Sequence, residues 1–125
     1  MFKLYNKTQG YTGAAEERVR VMENAYFRGQ ALVLKEGALV AATGSDKPHY
    51  LCLADRQANA GAGTVPVLSV TDNQRYETTA VTGAELEEGD CVTLSNDGMQ
   101  VTGTKENGVF TITHVNGDTV VGLFK

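Results

Sequence analysis

Two cysteines, Cys52 and Cys91, and two histidines, His49 and His114, are the side chains of this 125-residue chain best suited to metal or nucleophilic chemistry. Thiolate and imidazole together build zinc sites, but such sites draw their ligands from close pairs a few residues apart. Only His49 and Cys52 lie that near each other; Cys91 and His114 stand alone. Strand alternation also faces Cys52 opposite to Leu51 and Leu53, and Cys91 opposite to Val92, so neither thiol has an inward metal partner. Both read as reduced structural thiols. No Gly-x-Ser-x-Gly elbow or reactive-cysteine signature accompanies them, which leaves acyl-transfer chemistry without a nucleophile and base at a recognisable spacing.

The acidic groups are no more suggestive. Glu85, Glu87, Glu88 and Asp90 gather like charge ahead of an apolar run. General acid–base work needs two carboxyls in contrasting environments, whereas a run of this kind is a solvated turn. Gly61 and Gly63 sit in the polar stretch 55–64, yet no Lys-Ser or Lys-Thr follows to complete a phosphate loop. That stretch reads as a mobile surface loop. The expectation is a non-enzymatic chain with no catalytic residues, no metal and no cofactor.

The elements that carry these residues are short and sharply punctuated. Gly29 to Gly44 reads as glycine, an apolar run, an acidic residue next to glycine, a second run, then Thr-Gly, and Gly89 to Gly103 repeats the pattern more loosely. This is the grammar of a β-hairpin. Further runs centre on residues 51–53, 65–70, 76–79, 92–94, 99–101, 109–112 and 119–123, each bounded by Gly, Asn, Asp or Pro. Asp97-Gly98, Asn107-Gly108 and Asn116-Gly117 favour tight turns, because Asn and Asp tolerate positive φ and Gly adopts it freely. Residues 109–113 and 119–123 then pair as a closing hairpin. Residues 14–22 fit either a helical face or an alternating strand, and the strand is favoured by the β signals that follow. The fold class expected is all-β: a small antiparallel β-barrel or sandwich with two similar halves and an N-terminal arm.

A chain of this length forms one domain that buries roughly two-thirds of its unfolded surface. No apolar run approaches the ~18 residues of a membrane span, so no membrane partner is expected. The opening residues lack the apolar core of a secretory signal, and the chain reads as non-exported. Charge is uneven: residues 1–35 hold six Lys or Arg against three acids, a net +3, which leaves −7 for the remainder of a chain whose total is −4. An acidic body argues against nucleic-acid binding, which needs clustered cations. Residues 1–20 read as the arm and residues 21–125 as a single β domain. Phe2, Lys3, Leu4, Tyr5, Lys7 and Tyr11 are the arm residues expected to contact a partner, because an apolar, basic segment without a period of its own needs a surface to order against. Removing residues 1–14 is expected to leave the domain folded.

The order Gly29-x-Ala31-Leu32-Val33-Leu34, Gly37, Thr43-Gly44, Pro48-x-Tyr50-Leu51, Val65-Pro66-Val67 and Tyr76-Glu77-Thr78, with Leu86-Glu87-Glu88-Gly89-Asp90 opening a second half, resembles the small head proteins of tailed phages and prophages. The similarity covers about residues 25–125 and leaves the first 20 outside it. It implies a capsid decoration or head-stabilising protein: a non-enzymatic β domain on the outside of an assembled shell. The implied partners are further copies of the chain, in a trimer, and the major capsid protein. The implied place is the virion capsid surface, after synthesis in the host cytoplasm. The competing reading is a ligand- or carbohydrate-binding β-barrel of unrelated role, with Tyr5, Tyr11, Tyr26, Tyr50 and Tyr76 as stacking surfaces.

Overall fold

A computed structural model describes residues 1–5, 16–20, 25–57 and 63–125, of which 16–20 are described as backbone only. All its regular structure is β. Among the described residues ten strands run in chain order as β1 (Lys3–Leu4), β2 (Glu16–Arg20), β3 (Ala31–Lys35), β4 (Ala38–Ala41), β5 (Tyr50–Cys52), β6 (Thr64–Ser69), β7 (Tyr76–Thr79), β8 (Cys91–Val92), β9 (Phe110–Asn116) and β10 (Thr119–Phe124). They form two five-stranded antiparallel sheets, ordered β2-β6-β5-β3-β4 and β1-β7-β10-β9-β8. Neither closes into a barrel, and the packing is sandwich-like. The first half of the chain builds one sheet and the second half the other, with β1 crossing over to the edge of the second.

Local turn chemistry explains the hairpins. Between β3 and β4, Glu36 and Gly37 both take positive φ, 50° and 81°. Two such residues in a row make the turn whose twist matches that of paired strands. Between β9 and β10, Asn116 pairs across to Thr119 and Gly117 takes the positive φ of 64°. The turn there is Gly117-Asp118, one residue later than the Asn-Gly pair suggested. The expected strand over 99–101 does not form: Val101 makes only single bridges, to Ala80 and Leu94. Residues 93–95 still bond to 100–104, Ser95 N–H donating to the Gln100 carbonyl and Thr102 N–H to the Thr93 carbonyl, both at 2.9 Å, while β8 just before them pairs with β9 and the turn at Asp97-Gly98 is held from outside. Ala31 N–H donates to the Gly98 carbonyl at 2.8 Å, and Gln30 Nε2 donates to that of Asp97 at 2.9 Å.

The sheet formed by β2–β6 is apolar on both faces, which explains the unbroken buried run Ala31-Leu32-Val33. Its inner face supplies Ala31, Val33, Leu51 and Leu68 to a core shared with Tyr76, Val92, Phe110, Ile112, Val120 and Phe124 of the second sheet. Its outer face carries a second cluster of Leu32, Leu39, Cys52, Val65 and Val67 beneath Tyr26. The Tyr26 hydroxyl, fully buried, donates to the Leu39 carbonyl at 2.8 Å.

Residues 1–5, expected as the start of an arm that orders against a surface, are packed against the body of their own chain. Phe2 is 2 % exposed and packs against Phe110 and Phe124, with ring centroids 5.7 and 5.3 Å apart. An aromatic ring of that size is held by the apolar surface it buries. Its amide donates to the Gly29 carbonyl at 2.8 Å, and β1 adds to β7 in antiparallel register. Residues 16–20 form a strand beside β6, as favoured from their alternation.

Candidate functional site

Where the two-residue β1 ends the second sheet, the described residues cover the first sheet incompletely. A groove of about 390 Å³ remains between them. Its floor is the inner face of β5 and β6, Leu51 and Leu68, continued by Leu53; Leu4 forms its wall, and Met1 and Arg28 its rim. Leu53 and Leu4 stay half-buried. The glycine before β3 brings the two walls together. At Gly29 φ is +81°, and an added Cβ would lie 2.2 Å from Met1 Cγ, so any side chain there would displace Met1.

Backbone geometry along β1 decides what the groove presents. Tyr5 N–H donates to the Arg75 carbonyl at 3.0 Å, and Lys3 pairs with Glu77. Antiparallel ladders alternate, so Leu4 between them turns its N–H and C=O away from β7 and toward the groove. Phe2, which points the same way, spends its amide on Gly29. The Leu4 groups keep no partner among the described residues.

The groove's charge is of one sign. Lys3 pairs with Glu77 at 2.9 Å, whereas the guanidinium of exposed Arg28 has no ion pair among the described residues. The nearby Asp55 carboxylate accepts from the Arg28 backbone N–H at 2.8 Å. Met1, at 47 % exposure, is one of the large apolar side chains left in solvent among the described residues, with Phe27 and Leu34. Its terminal ammonium donates to the Met99 carbonyl; burial lowers the ammonium pKa, against the pull of Asp97.

Of the residues expected to meet a partner, Phe2 belongs to the core, Lys3 to an ion pair and Leu4 to the groove wall. Tyr5 is half-buried and accepts a hydrogen bond at its carbonyl from Gln74 Nε2, 3.4 Å away. Lys7 and Tyr11 lie outside the described residues. Arg28, Leu53 and Leu68 gave no signal in the sequence, because only packing between sheets brings them beside Leu4.

The cysteines, histidines and acidic groups are scattered. Cys52 is buried, its thiol 3.0 Å from the Ala54 carbonyl, and burial raises its pKa. Cys91 is partly exposed on the other sheet. His49 Nδ1 accepts from Leu34 N–H at 3.1 Å, and His114 is exposed on β9. No group of three metal-ligating side chains occurs among the described residues. In the acidic run, Asp90 accepts from the Glu87 amide at 2.9 Å and lies 3.4 Å from Lys105 Nζ. The Glu87 bond, together with Lys105, holds the Asp90 carboxyl below its ordinary value. Tyr26 and Tyr76 are buried to 1 % and 0 % exposure, so neither offers a ring face to a sugar. Another cavity, about 460 Å³ beside Lys47, His49 and Asp72, carries both signs of charge. No family model matches the chain, and no curated protein matches it.

Proposed function

We propose that the chain is a non-enzymatic structural protein of a tailed phage or prophage, decorating and stabilising the assembled capsid from outside as a trimer seated on the major capsid protein. The observation that supports this reading is where the residues carrying the resemblance fall. Gly29 and Gly37 both take φ of 81° at turns, Tyr50-Leu51 lies in β5, Val65-Pro66-Val67 in β6 and Tyr76-Glu77-Thr78 in β7. The residues in common are scaffold, and a decoration protein works by being a stiff body that spans joints in a shell. A two-sheet body with apolar side chains on both faces of one sheet meets that need.

The reading is tested with shells assembled from the major capsid protein encoded beside this gene. The purified chain should co-sediment with assembled shells, ignore unassembled subunits and raise the shell's melting temperature. Equal binding to subunits and shells, or none to either, would refute it. Sedimentation equilibrium tests the trimer separately.

A further inference from the structure

We propose that the groove beside β1 is a docking site for an extended segment of a partner protein, one that alternates apolar and acidic residues and adds itself as a strand along Leu4. The inference stands apart from the decoration reading, since it follows from the groove alone. Three features of the groove converge on this occupant.

The first is backbone. An edge strand with free N–H and C=O groups is a template for another strand. At β1 the template is short: Leu4 turns both groups outward, while Tyr5 and Lys3 bond to β7 and the Phe2 amide is taken by Gly29. An added strand therefore gains two main-chain hydrogen bonds at Leu4, and its further affinity must come from side chains.

The second is the floor. Leu51, Leu53 and Leu68 belong to the face of the first sheet that elsewhere is covered by the second sheet. A strand lying beside β1 extends the second sheet over them. Every other side chain of that strand then points down onto the leucines, because strand side chains alternate between faces. The volume, about 390 Å³, suits two or three aliphatic side chains and not a folded domain.

The third is charge. Arg28 stands at the rim without an ion pair among the described residues, Lys3 lines the groove as well, and no acidic side chain among the described residues lines it. Two carboxylates beside these cations are engaged, Glu77 on Lys3 and Asp55 on the Arg28 backbone amide. The residues of the added strand that point outward therefore meet cations, and acidic side chains complement them. Charge of this kind sets partner choice more than affinity. Recognition is thus divided: main chain to Leu4, apolar residues to the leucine floor, acids to Arg28.

The test screens a displayed library of random 12-residue peptides against the intact chain, with Arg28→Glu as counter-selection. Enriched peptides should alternate apolar and acidic residues. A synthetic copy of the best should lose at least tenfold in affinity for Arg28→Glu and for Leu53→Asp. N-methylation of the peptide amide that meets the Leu4 carbonyl should cost a similar factor. Arg28 is exposed and its backbone bond survives substitution, so that variant should keep the wild-type circular dichroism and melting temperature. The proposal is overturned if enriched peptides lack acids, if their binding ignores both Arg28→Glu and N-methylation, or if the wild type self-associates and Arg28→Glu alone abolishes it, since the occupant is then a second copy.

Discussion

Phe2 and Phe110 meet edge to face, their ring centroids 5.7 Å apart and their planes at 69°, so the first turn of chain is locked to a strand near its other end. Phe110 in turn packs at 5.1 Å on Phe124, which also touches Phe2 and Tyr76. Phe2→Ala would empty a buried site. The expected cost is about 3–5 kcal/mol, a fall in Tm on the order of 10 °C or more by calorimetry. Deleting residues 1–5 should do at least as much. A truncated chain that melts with the wild type would mean the ring cluster does not need Phe2.

Two glycines separate crowding from backbone strain. At Gly122 the β9–β10 register shifts, and an added Cβ would sit 2.3 Å from the Thr111 carbonyl oxygen and 2.7 Å from the Phe110 ring. At Gly117 the space is open and only the positive φ resists a side chain. Gly122→Ala should cost about 1–3 kcal/mol or prevent folding, through overpacking. Gly117→Ala should cost only ~1 kcal/mol. Urea titration of both variants checks the ranking, and equal costs would contradict it.

Asp46 links β3 to the loop after β4. Its carboxylate lies 2.7 Å from Lys35 Nζ and accepts from the Thr43 amide at 3.1 Å. Burial alone would raise its pKa, but the Lys35 hydrogen bond, the Thr43 amide and the Lys35 charge together bring it below the ordinary 3.8. A lowered folded pKa means the contribution is complete above 3.8 and is lost as pH falls through the folded value. Because the pair is partly solvated, the increment is below ~1 kcal/mol. Asp46→Asn should therefore lower Tm slightly at pH 7, and the gap to wild type should close toward pH 2–3. A gap that widens on acidification would reverse the sign of the argument.

The two thiols should differ in reactivity. Cys52 is buried in the outer cluster with its pKa raised by desolvation, while Cys91 is partly exposed at the edge strand β8. Iodoacetamide at pH 8 should label Cys91 at least tenfold faster than Cys52, because reactivity follows the accessible thiolate. Mass spectrometry of the peptides gives both rates. Replacing both cysteines with serine should then destabilise mainly through position 52, where a hydroxyl enters an apolar cluster.

Much of the fold is written locally. The alternation in residues 16–20, the apolar runs of β3 to β7 and β9 to β10, and the Glu36-Gly37 turn each depend on neighbours a few positions away, and each is where the sequence places it. The all-β class follows from their number and spacing. Tertiary packing decided what local pattern leaves open. Residues 99–101 read as a strand by pattern, yet their pairing with 93–95 is reduced to a few backbone bonds and single bridges, because Gln30 and Ala31 capture the turn between them and β9 takes Cys91 and Val92 just before. Phe2 looked like part of an arm because a single ring has no period, and only a hole between Phe110 and Phe124 gives it a place. The groove is the clearest case: Leu4, Arg28, Leu53 and Leu68 are ordinary in sequence, and they become one surface because packing sets the two-residue edge strand of one sheet beside the leucines of the other, which the described residues cover incompletely.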